Sequence, residues 1–401
     1  MLFRSNVEAE VFQPMQTQET AKTTNNYSIF KDSLEKIFEY NIKFAKYNRK
    51  DEKTLYDVIL NDYEKGMTCE KLDVFFNELK KEIVPLLQKI MKKGKVENKL
   101  IANTDIEKQK EFSKFLSEYL GFDFRRGVAR ESEHPFTMDI NKNDVRITTK
   151  YFLNEPMSGV FSTIHETGHA IYEQAIGDDL KGTILAGGGS MGIHESQSRF
   201  YENIIGRSFE FWSAIYKKTQ EYIEVLKNID LDEFYKQINI VTPSLIRTEA
   251  DELTYSLHIL VRYEIEKDII NGKIKADNLP EIWNQKMKEY LGIVPDNFSN
   301  GILQDVHWAG GLVGYFPSYA LGSAYSAQIF NTMKKDLDIA QILKNGELYK
   351  IREWLAKKIH KYGKLKDTEE IIKAVTGEGL NPKYYIDYLK EKYNKIYKLN
   401  I

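Results

Sequence analysis

The sequence predicts a mainly α-helical protein, a single large helical domain with one small β-hairpin beside a helix that carries two histidines. Over most of the 401 residues, apolar side chains recur three and four positions apart among charged ones. This spacing is typical of helices that bury one face. Only one segment alternates as strands do, and no internal repeat or linker rich in proline, glycine or serine divides the chain. One domain is therefore the simplest prediction.

The composition restricts the classes of function. The formal net charge of −2 argues against a dedicated nucleic-acid binder, which would carry a marked basic excess. Cys69 is the only cysteine, so neither an intrachain disulfide nor a cysteine metal site is expected, as in a reducing compartment. No apolar run reaches the roughly 18 residues of a membrane span, and the first residues lack the apolar core of a signal peptide. These features predict a cytoplasmic protein without a nucleic-acid or membrane partner.

The amino-terminal part begins with a polar stretch. Its weak periodicity predicts a flexible leader over residues 1–26, followed by a folded domain over residues 27–401. The first helices are predicted over residues 28–46, 54–65, 68–90 and 106–120. Pro85 is expected to kink the third of these helices or to divide it.

A hairpin is predicted in the middle of the chain. Residues 136–140 and 145–149 have the pattern of two strands, and residues 141–144 that of the turn between them. The free edge of such a hairpin can pair with an extended peptide. The alternative is that the hairpin only packs on the helices.

The segment His165-Glu166-Thr167-Gly168-His169 has the HExxH pattern. Residues four apart on a helix lie about 40° apart around its axis and about 6 Å apart along it, so both histidines can hold one metal ion. Glu166 lies about 100° round from His165, where it can act on a water bound to that ion. These are the ligands and the general base of a zinc peptidase. The alternative is a pair of ordinary helix histidines.

The third ligand is expected on the next helix. The glycine-rich residues 186–192 lack a phosphate-binding fingerprint, so they predict a bend or a close backbone approach. Glu195 follows directly and is favoured as third ligand, since two histidines and a glutamate are typical of zinc peptidases. His194 is the competitor, but it points about 100° away from Glu195, so only one of them can face the ion squarely.

The remaining sequence is predicted to be almost entirely helical, apart from an interruption by three glycines at positions 310, 311 and 314. The predicted helices cover residues 209–226, 231–238, 243–271, 280–290, 319–337, 347–362, 368–375 and 383–397.

Six short motifs, in this order, resemble those of the carboxypeptidase Taq family, the thermostable metallocarboxypeptidases. They are His134–Phe136, Asp144–Thr148, His165–His169, His194–Gln197, Ile246–Asp251 and Gly301–Trp308. The resemblance runs from about residue 30 to the end, which makes residues 27–401 the metallocarboxypeptidase catalytic domain. Relative to the family, that domain is expected to be shortened at its amino terminus.

The resemblance implies a mostly helical fold with a deep active-site cleft. It also implies a homodimer that removes single residues from the free carboxyl ends of peptide substrates, with broad side-chain preference. The metal would be zinc, one ion per chain, with cobalt as a functional substitute.

Two further catalytic residues are expected by similarity to other metallopeptidases. His307 and Tyr315 are the candidate donors to the oxyanion of the tetrahedral intermediate. The alternatives are a core histidine bonded to Asp305 or Gln304, and plain aromatic packing for Tyr315. Asp251 or Asp305 is a candidate for orienting a metal-binding imidazole.

A carboxypeptidase must also bind a free carboxylate, which a guanidinium does with two parallel hydrogen bonds. Arg247 and Arg146 are the candidates, because both lie inside motifs, and Gln304 completes the predicted substrate-binding set. The alternatives are simple ion pairs, of Arg247 with Asp251 and of Arg146 with Asp144.

Two other functions compete with a carboxypeptidase. One is an endopeptidase or oligopeptidase on the same catalytic frame. The other is a non-catalytic scaffold that keeps zinc for stability or binds peptides without cutting them. Glu166 argues against the scaffold, because a purely structural site has no use for a general base.

Overall fold

The computed structural model describes residues 2–399, with side chains from residue 13 onward. In this range the chain is mainly helical with one small sheet, which confirms the predicted fold class. The helices are α1 (Leu2–Thr23), α2 (Tyr27–Asn48), α3 (Leu55–Tyr63), α4 (Cys69–Met91), α5 (Ile106–Leu120), α6 (Pro156–Gln174), α7 (Met191–Arg199), α8 (Phe209–Tyr222), α9 (Leu231–Gln237), α10 (Glu252–Ile270), α11 (Leu279–Leu291), α12 (Pro317–Asp336), α13 (Ile339–Lys344), α14 (Tyr349–Lys358), α15 (Thr368–Thr376) and α16 (Lys383–Tyr397).

The chain folds into two compact units. The first comprises the residues up to Lys92 together with Val241–Ala320, and the second comprises Lys93–Ile240 together with the residues from Leu321 onward. The domain boundaries predicted from the sequence stay a prediction. Among the residues that the structure describes, no helix combines the length and the apolar content that a membrane span requires.

Helix α1 occupies the segment for which a flexible leader was predicted. The prediction for residues 1–26 is therefore wrong over Leu2–Thr23. Polar side chains hold this helix in place: Gln18 is buried, and its amide donates to the carbonyl oxygens of Leu303 and Asp305 at 3.3 and 2.5 Å. Sequence periodicity missed the helix because these contacts use backbone carbonyls rather than an apolar stripe.

The observed helices differ from the predicted ones at several points. The helix predicted over residues 243–271 begins only at Glu252, because the carboxylate of Asp251 accepts the backbone N–H of Thr254 at 3.0 Å and caps α10. Pro85 lies within α4, which runs unbroken from Cys69 to Met91. The short helix α13 was not predicted.

The sheet belongs to the second unit and has three strands. Strand β2 (Phe136–Asn141) and strand β3 (Asp144–Thr149) form the predicted hairpin, and β1 (Gly127–Glu131) pairs in parallel with β3. The order β1-β3-β2 leaves β2 at an edge. The first strand was missed because Gly-Val-Ala-Arg-Glu does not alternate between apolar and polar residues.

A buried carboxylate holds part of the first unit together. Glu266 accepts hydrogen bonds from the Tyr56 hydroxyl at 2.6 Å, the Trp308 indole N–H at 2.6 Å and the backbone N–H of Gly314 at 2.9 Å. Trp308 and Gly314 lie at the two ends of the glycine-interrupted segment, residues 308–314. Burial raises the pKa of Glu266 to about 7, although the three donors favour the ionised form.

The contribution of Glu266 to stability should fall as the pH rises. Its pKa of about 7 in the folded protein exceeds the ordinary value of 4.5, so folding favours the protonated form. The contribution is complete below about pH 4.5 and is lost as the pH rises through about 7, a difference on the order of 3 kcal/mol. Urea unfolding between pH 5 and 8 should show the wild type losing stability relative to E266Q.

An exposed glutamate on α11 provides the control for the loss of one carboxyl group. The difference between wild type and Glu281→Gln should not follow this pH dependence. A stability difference between wild type and E266Q that stays constant over the range would contradict the raised pKa.

Candidate metal centre

Helices α6 and α7 of the second unit bring together the three residues predicted as metal ligands. The Nε2 atoms of His165 and His169 lie 3.7 and 3.5 Å from Oε2 of Glu195. Two ligand atoms about 2.1 Å from one tetrahedral zinc ion would be roughly 3.4 Å apart. The donor set and its spacing therefore fit one zinc ion held by His165, His169 and Glu195.

Two glycines allow the helix backbones to approach closely enough for this arrangement. A Cβ atom on Gly168 would lie 2.8 Å from Cα of Ser198, on α7. A Cβ atom on Gly322, on α12, would lie 2.4 Å from Cγ of Glu195. Because real side chains do not tolerate such distances, both positions require glycine for Glu195 to reach the two histidines.

The Glu195 carboxylate is ionised and has its two oxygens in different roles. Oε1 accepts the Nε–H of Arg199 at 2.7 Å, whereas Oε2 faces the histidines and accepts a weaker bond from Ser198 at 3.2 Å. Burial raises the pKa of Glu195, but Arg199 and His165 outweigh it and hold the pKa far below the ordinary range. Oε2 is the oxygen available to a cation.

His165 is oriented by Glu202, a carboxylate whose role was not predicted from the sequence. Its Nδ1 lies 2.8 Å from Oε2 of Glu202, which also accepts from Arg199 at 3.2 Å. Burial raises the pKa of Glu202, but Arg199 and His165 lower it to about 2. The carboxylate therefore accepts the proton on Nδ1, which in the neutral ring leaves the lone pair on Nε2. The spacing of Glu195, Arg199 and Glu202 along one helix face was the available signal.

His169 is oriented by another imidazole. Its Nδ1 lies 2.6 Å from Nδ1 of His194, whose Nε2 lies 2.7 Å from Oε1 of Glu173. Burial lowers the pKa of His169 to about 4. The prediction that Asp251 or Asp305 orients an imidazole is wrong, because Asp251 caps α10 and Asp305 pairs with arginines.

Glu166 is buried next to the edge strand. Its Oε2 accepts the Thr137 hydroxyl of β2 at 2.6 Å, and its backbone carbonyl lies 3.1 Å from the same hydroxyl. Burial raises the pKa of Glu166 above the ordinary value, which makes it a better proton acceptor when ionised. The hairpin therefore contacts the predicted base as well as the helices, and its pairing with an extended peptide stays a prediction.

The predicted substrate-binding residues Arg247 and Gln304 are buried together in the first unit. Both Nε and Nη2 of Arg247 donate to Oδ1 of Asp305, at 2.9 and 2.8 Å, while Arg262 donates to Oδ2 at 2.6 Å. Oε1 of Gln304 accepts from the Arg247 backbone and from Arg262. The alternative pairing of Arg247 with Asp251 is not formed, because Asp305 takes that place.

His307 and Tyr315, the predicted oxyanion donors, are neighbours in the first unit, with ring centroids 5.7 Å apart. Nε2 of His307 lies 3.1 Å from the Tyr319 hydroxyl. Its Nδ1 is 3.9 Å from the nearest Asp305 oxygen and has no hydrogen-bond partner among the described residues. Burial lowers the pKa of His307 to about 4, so the ring is neutral. Tyr319 was not predicted from the sequence.

Arg146 lies on β3 in the second unit. It forms a two-bond ion pair with Asp144, from Nε to Oδ1 at 2.9 Å and from Nη2 to Oδ2 at 2.8 Å. The pairing considered as the alternative role for Arg146 is therefore present. The side chain is about half exposed, and its role in substrate binding stays a prediction.

An HExxH helix followed by a glutamate-bearing helix, in a mainly helical fold, defines the class of HExxH metallopeptidases. The family model described as carboxypeptidase Taq (M32) metallopeptidase matches residues 4–393. The chain belongs to this family of metallocarboxypeptidases, which are peptide hydrolases. The match begins earlier than residue 30, where the sequence resemblance was expected to start.

Individual relatives agree with the family assignment. Carboxypeptidase 1 of Bacillus subtilis is 49% identical over 385 residues, which cover 95% of this chain and 77% of the relative. Thermostable carboxypeptidase 1 of Pyrococcus furiosus is 40% identical over 94% of this chain and 76% of its own. The crystal structure of the M32 carboxypeptidase from Deinococcus radiodurans has a TM-score of 0.95 at 33% identity, covering 99% of this chain and 80% of that one.

Replacing Thr137 by valine should slow peptide hydrolysis without removing the metal ligands. The variant loses the 2.6 Å hydrogen bond to Glu166 and keeps the shape of the side chain. A hydrogen bond to a charged group contributes enough that kcat should fall roughly ten-fold or more. Steady-state kinetics on a blocked dipeptide give the measurement.

The matched control is Thr149→Val on β3, whose hydroxyl contacts Thr163 at 3.2 Å and not Glu166. Its kcat should stay within about two-fold of wild type, since no hydrogen bond to a charged group is lost. Equal kcat values for the Thr137 and Thr149 variants would show that the contact to Glu166 does not matter.

Proposed function

We propose that this chain removes single residues from the free carboxyl ends of peptides, with broad side-chain preference. We also propose that His165, His169 and Glu195 bind one zinc ion per chain, with cobalt as a functional substitute. The convergence of two Nε2 atoms on one Glu195 oxygen, beside Glu166, is the observation that carries this proposal. Membership of the family supports the activity.

In the proposed reaction, Glu166 is the general base. A zinc ion at this site would polarise the scissile carbonyl and lower the pKa of a bound water towards about 7. Glu166 takes a proton from the attacking water and passes it to the leaving amine. The hydroxyl of Thr137 holds one carboxylate oxygen of Glu166, so the other oxygen is the one that exchanges the proton.

The remaining predicted residues have supporting roles in the proposal. His307 and Tyr315 donate hydrogen bonds to the oxygen on which negative charge develops. The neutral state of His307 suits a donor whose charge does not have to change. Arg247 binds the substrate carboxylate, with Arg146 as the second candidate, and Gln304 contributes by holding the backbone of Arg247 at 2.9 Å.

We propose a homodimer in the cytoplasm as the working form. The single cysteine, Cys69, is buried and has no cysteine partner, which suits a reducing compartment. The homodimer is proposed from the family resemblance.

Replacing Glu166 by glutamine should abolish turnover and leave metal binding intact. The variant keeps the three proposed ligands and loses the base, so kcat should fall by at least about 10²-fold to 10⁴-fold. Zinc content by atomic emission should remain one ion per chain. Full turnover by E166Q would refute the assignment of the base.

The contrasting variant is Glu195→Gln, which removes the carboxylate ligand and keeps Glu166. It should lose both zinc and activity, because an amide is a poor replacement for a charged ligand. Together the two variants separate the base from the ligand set.

Blocking the carboxyl end of the substrate should distinguish a carboxypeptidase from an endopeptidase. A dipeptide that is blocked at its amino end and has a free carboxylate should be hydrolysed. The same dipeptide with its carboxyl end converted to an amide should hardly be hydrolysed, because the contact between the carboxylate and the guanidinium is lost. Liquid chromatography of the products gives the rates. Equal cleavage of both substrates would favour an endopeptidase. In a separate test, a chelator should stop the reaction, and zinc or cobalt should restore it.

A further inference from the structure

The two proposed histidine ligands are supported in different ways. His165 contacts the Glu202 carboxylate directly through Nδ1 at 2.8 Å. Through its Nδ1, His169 instead contacts the imidazole of His194, and the Glu173 carboxylate lies beyond that second ring. His194 therefore lies between the proposed ligand His169 and the carboxylate of Glu173. Nothing in the proposed reaction explains this position.

The short contact between the two rings restricts their protons. A distance of 2.6 Å between Nδ1 of His169 and Nδ1 of His194 requires one hydrogen between two ring nitrogens. If His169 binds a metal through Nε2, the hydrogen must belong to its own Nδ1, and His194 must accept it. The other proton of His194 is then on Nε2, from which it is donated to Glu173 at 2.7 Å.

The surrounding chain fixes this arrangement. Oε1 of Glu173 also accepts the backbone N–H of Gly188 at 2.9 Å. A Cβ atom on Gly188 would lie 2.3 Å from Cδ2 of His194 and 2.6 Å from Oε1 of Glu173, so any side chain at this position would displace one of these two groups.

We infer that His194, backed by Glu173, is a positioning residue that keeps the proton of His169 on Nδ1 and presents its Nε2 to the metal. The inference rests on the proposed ligand set, because it assigns His194 to the support of a ligand and not to the ion. Loss of such an outer partner typically weakens metal binding by about 10-fold to 100-fold. His194 should therefore affect zinc affinity although it is not a ligand.

The test is the zinc dissociation constant of the metal-free full chain, measured at fixed pH by competition with a chromogenic chelator. His194→Phe keeps a ring and removes the acceptor, so the constant should rise about 10-fold to 100-fold. His194→Asn keeps an acceptor oxygen at the position of Nδ1, so it should rise no more than about five-fold. Thermal unfolding checks that each variant is folded.

His360 provides the matched control. It is a buried histidine whose ring packs on the same Tyr172 ring as His194, and its Nε2 contacts Gln197 at 2.8 Å instead of a proposed ligand. His360→Phe should leave the zinc dissociation constant within about three-fold of wild type, since no outer partner of a ligand is removed.

Three results would overturn the inference. The first is an unchanged zinc dissociation constant for His194→Phe. The second is zinc binding by His194→Asn that is as weak as that of His194→Phe. The third is an equal loss of zinc affinity in His360→Phe. Peptide hydrolysis is measured in parallel to keep the two proposals apart. A wild type that binds zinc without cleaving peptides would refute only the proposed function, and one that takes up no zinc would refute both.

Discussion

The close approach of helices α6 and α7 is the constraint on which the metal centre depends. Gly168 sits between the two histidines of α6, and any side chain there would collide with the backbone of α7 at Ser198. Only at this separation does Glu195 come within 3.7 Å of both imidazole Nε2 atoms. The glycine inside the HExxH pattern is therefore as necessary to the site as the residues that give the pattern its name.

Burying several ionisable groups at this place is unfavourable unless each has a partner. Arg199 satisfies this requirement for two carboxylates at once, because it donates to Glu195 at 2.7 Å and to Glu202 at 3.2 Å. Both carboxylates remain ionised, chiefly because the charge of Arg199 offsets the cost of burial. The buried carboxylates of the metal centre therefore depend on one arginine, Arg199, for their charge pairing.

Features that follow from residue spacing within one element could be predicted from the sequence. The HExxH pair, Glu195 and the hairpin depend on periodicity or on motif order, and the structure brings the three residues of the ligand set together. The partners of the imidazoles were not accessible in this way. Glu202 shares a helix face with Glu195 and Arg199, but that spacing does not indicate that it contacts His165 of α6. Glu173 of α6 contacts His194 of α7, and Thr137 of β2 contacts Glu166 of α6, so neither pairing follows from spacing within one element.

The prediction for the amino-terminal segment was wrong for a related reason. A helix can be predicted from an apolar stripe, but α1 is held by Gln18 and Lys22 on the carbonyl oxygens of residues 303–305. Such contacts depend on where another segment of backbone happens to lie. The start of α10 at Glu252 was likewise set by a cap, Asp251, in the middle of a run that reads as helical throughout.

The segment Phe200–Ile205 continues α7 as a π-helix, in which the backbone N–H of Gly206 bonds to the carbonyl five residues back, at Tyr201. Such a wide turn accommodates one more residue than an α-helical turn would. Glu202, which orients His165, lies within it. The centre is thereby sensitive to chain length as well as to residue identity: a one-residue deletion here would rotate the following side chains by about 100°, although every proposed ligand would still be encoded.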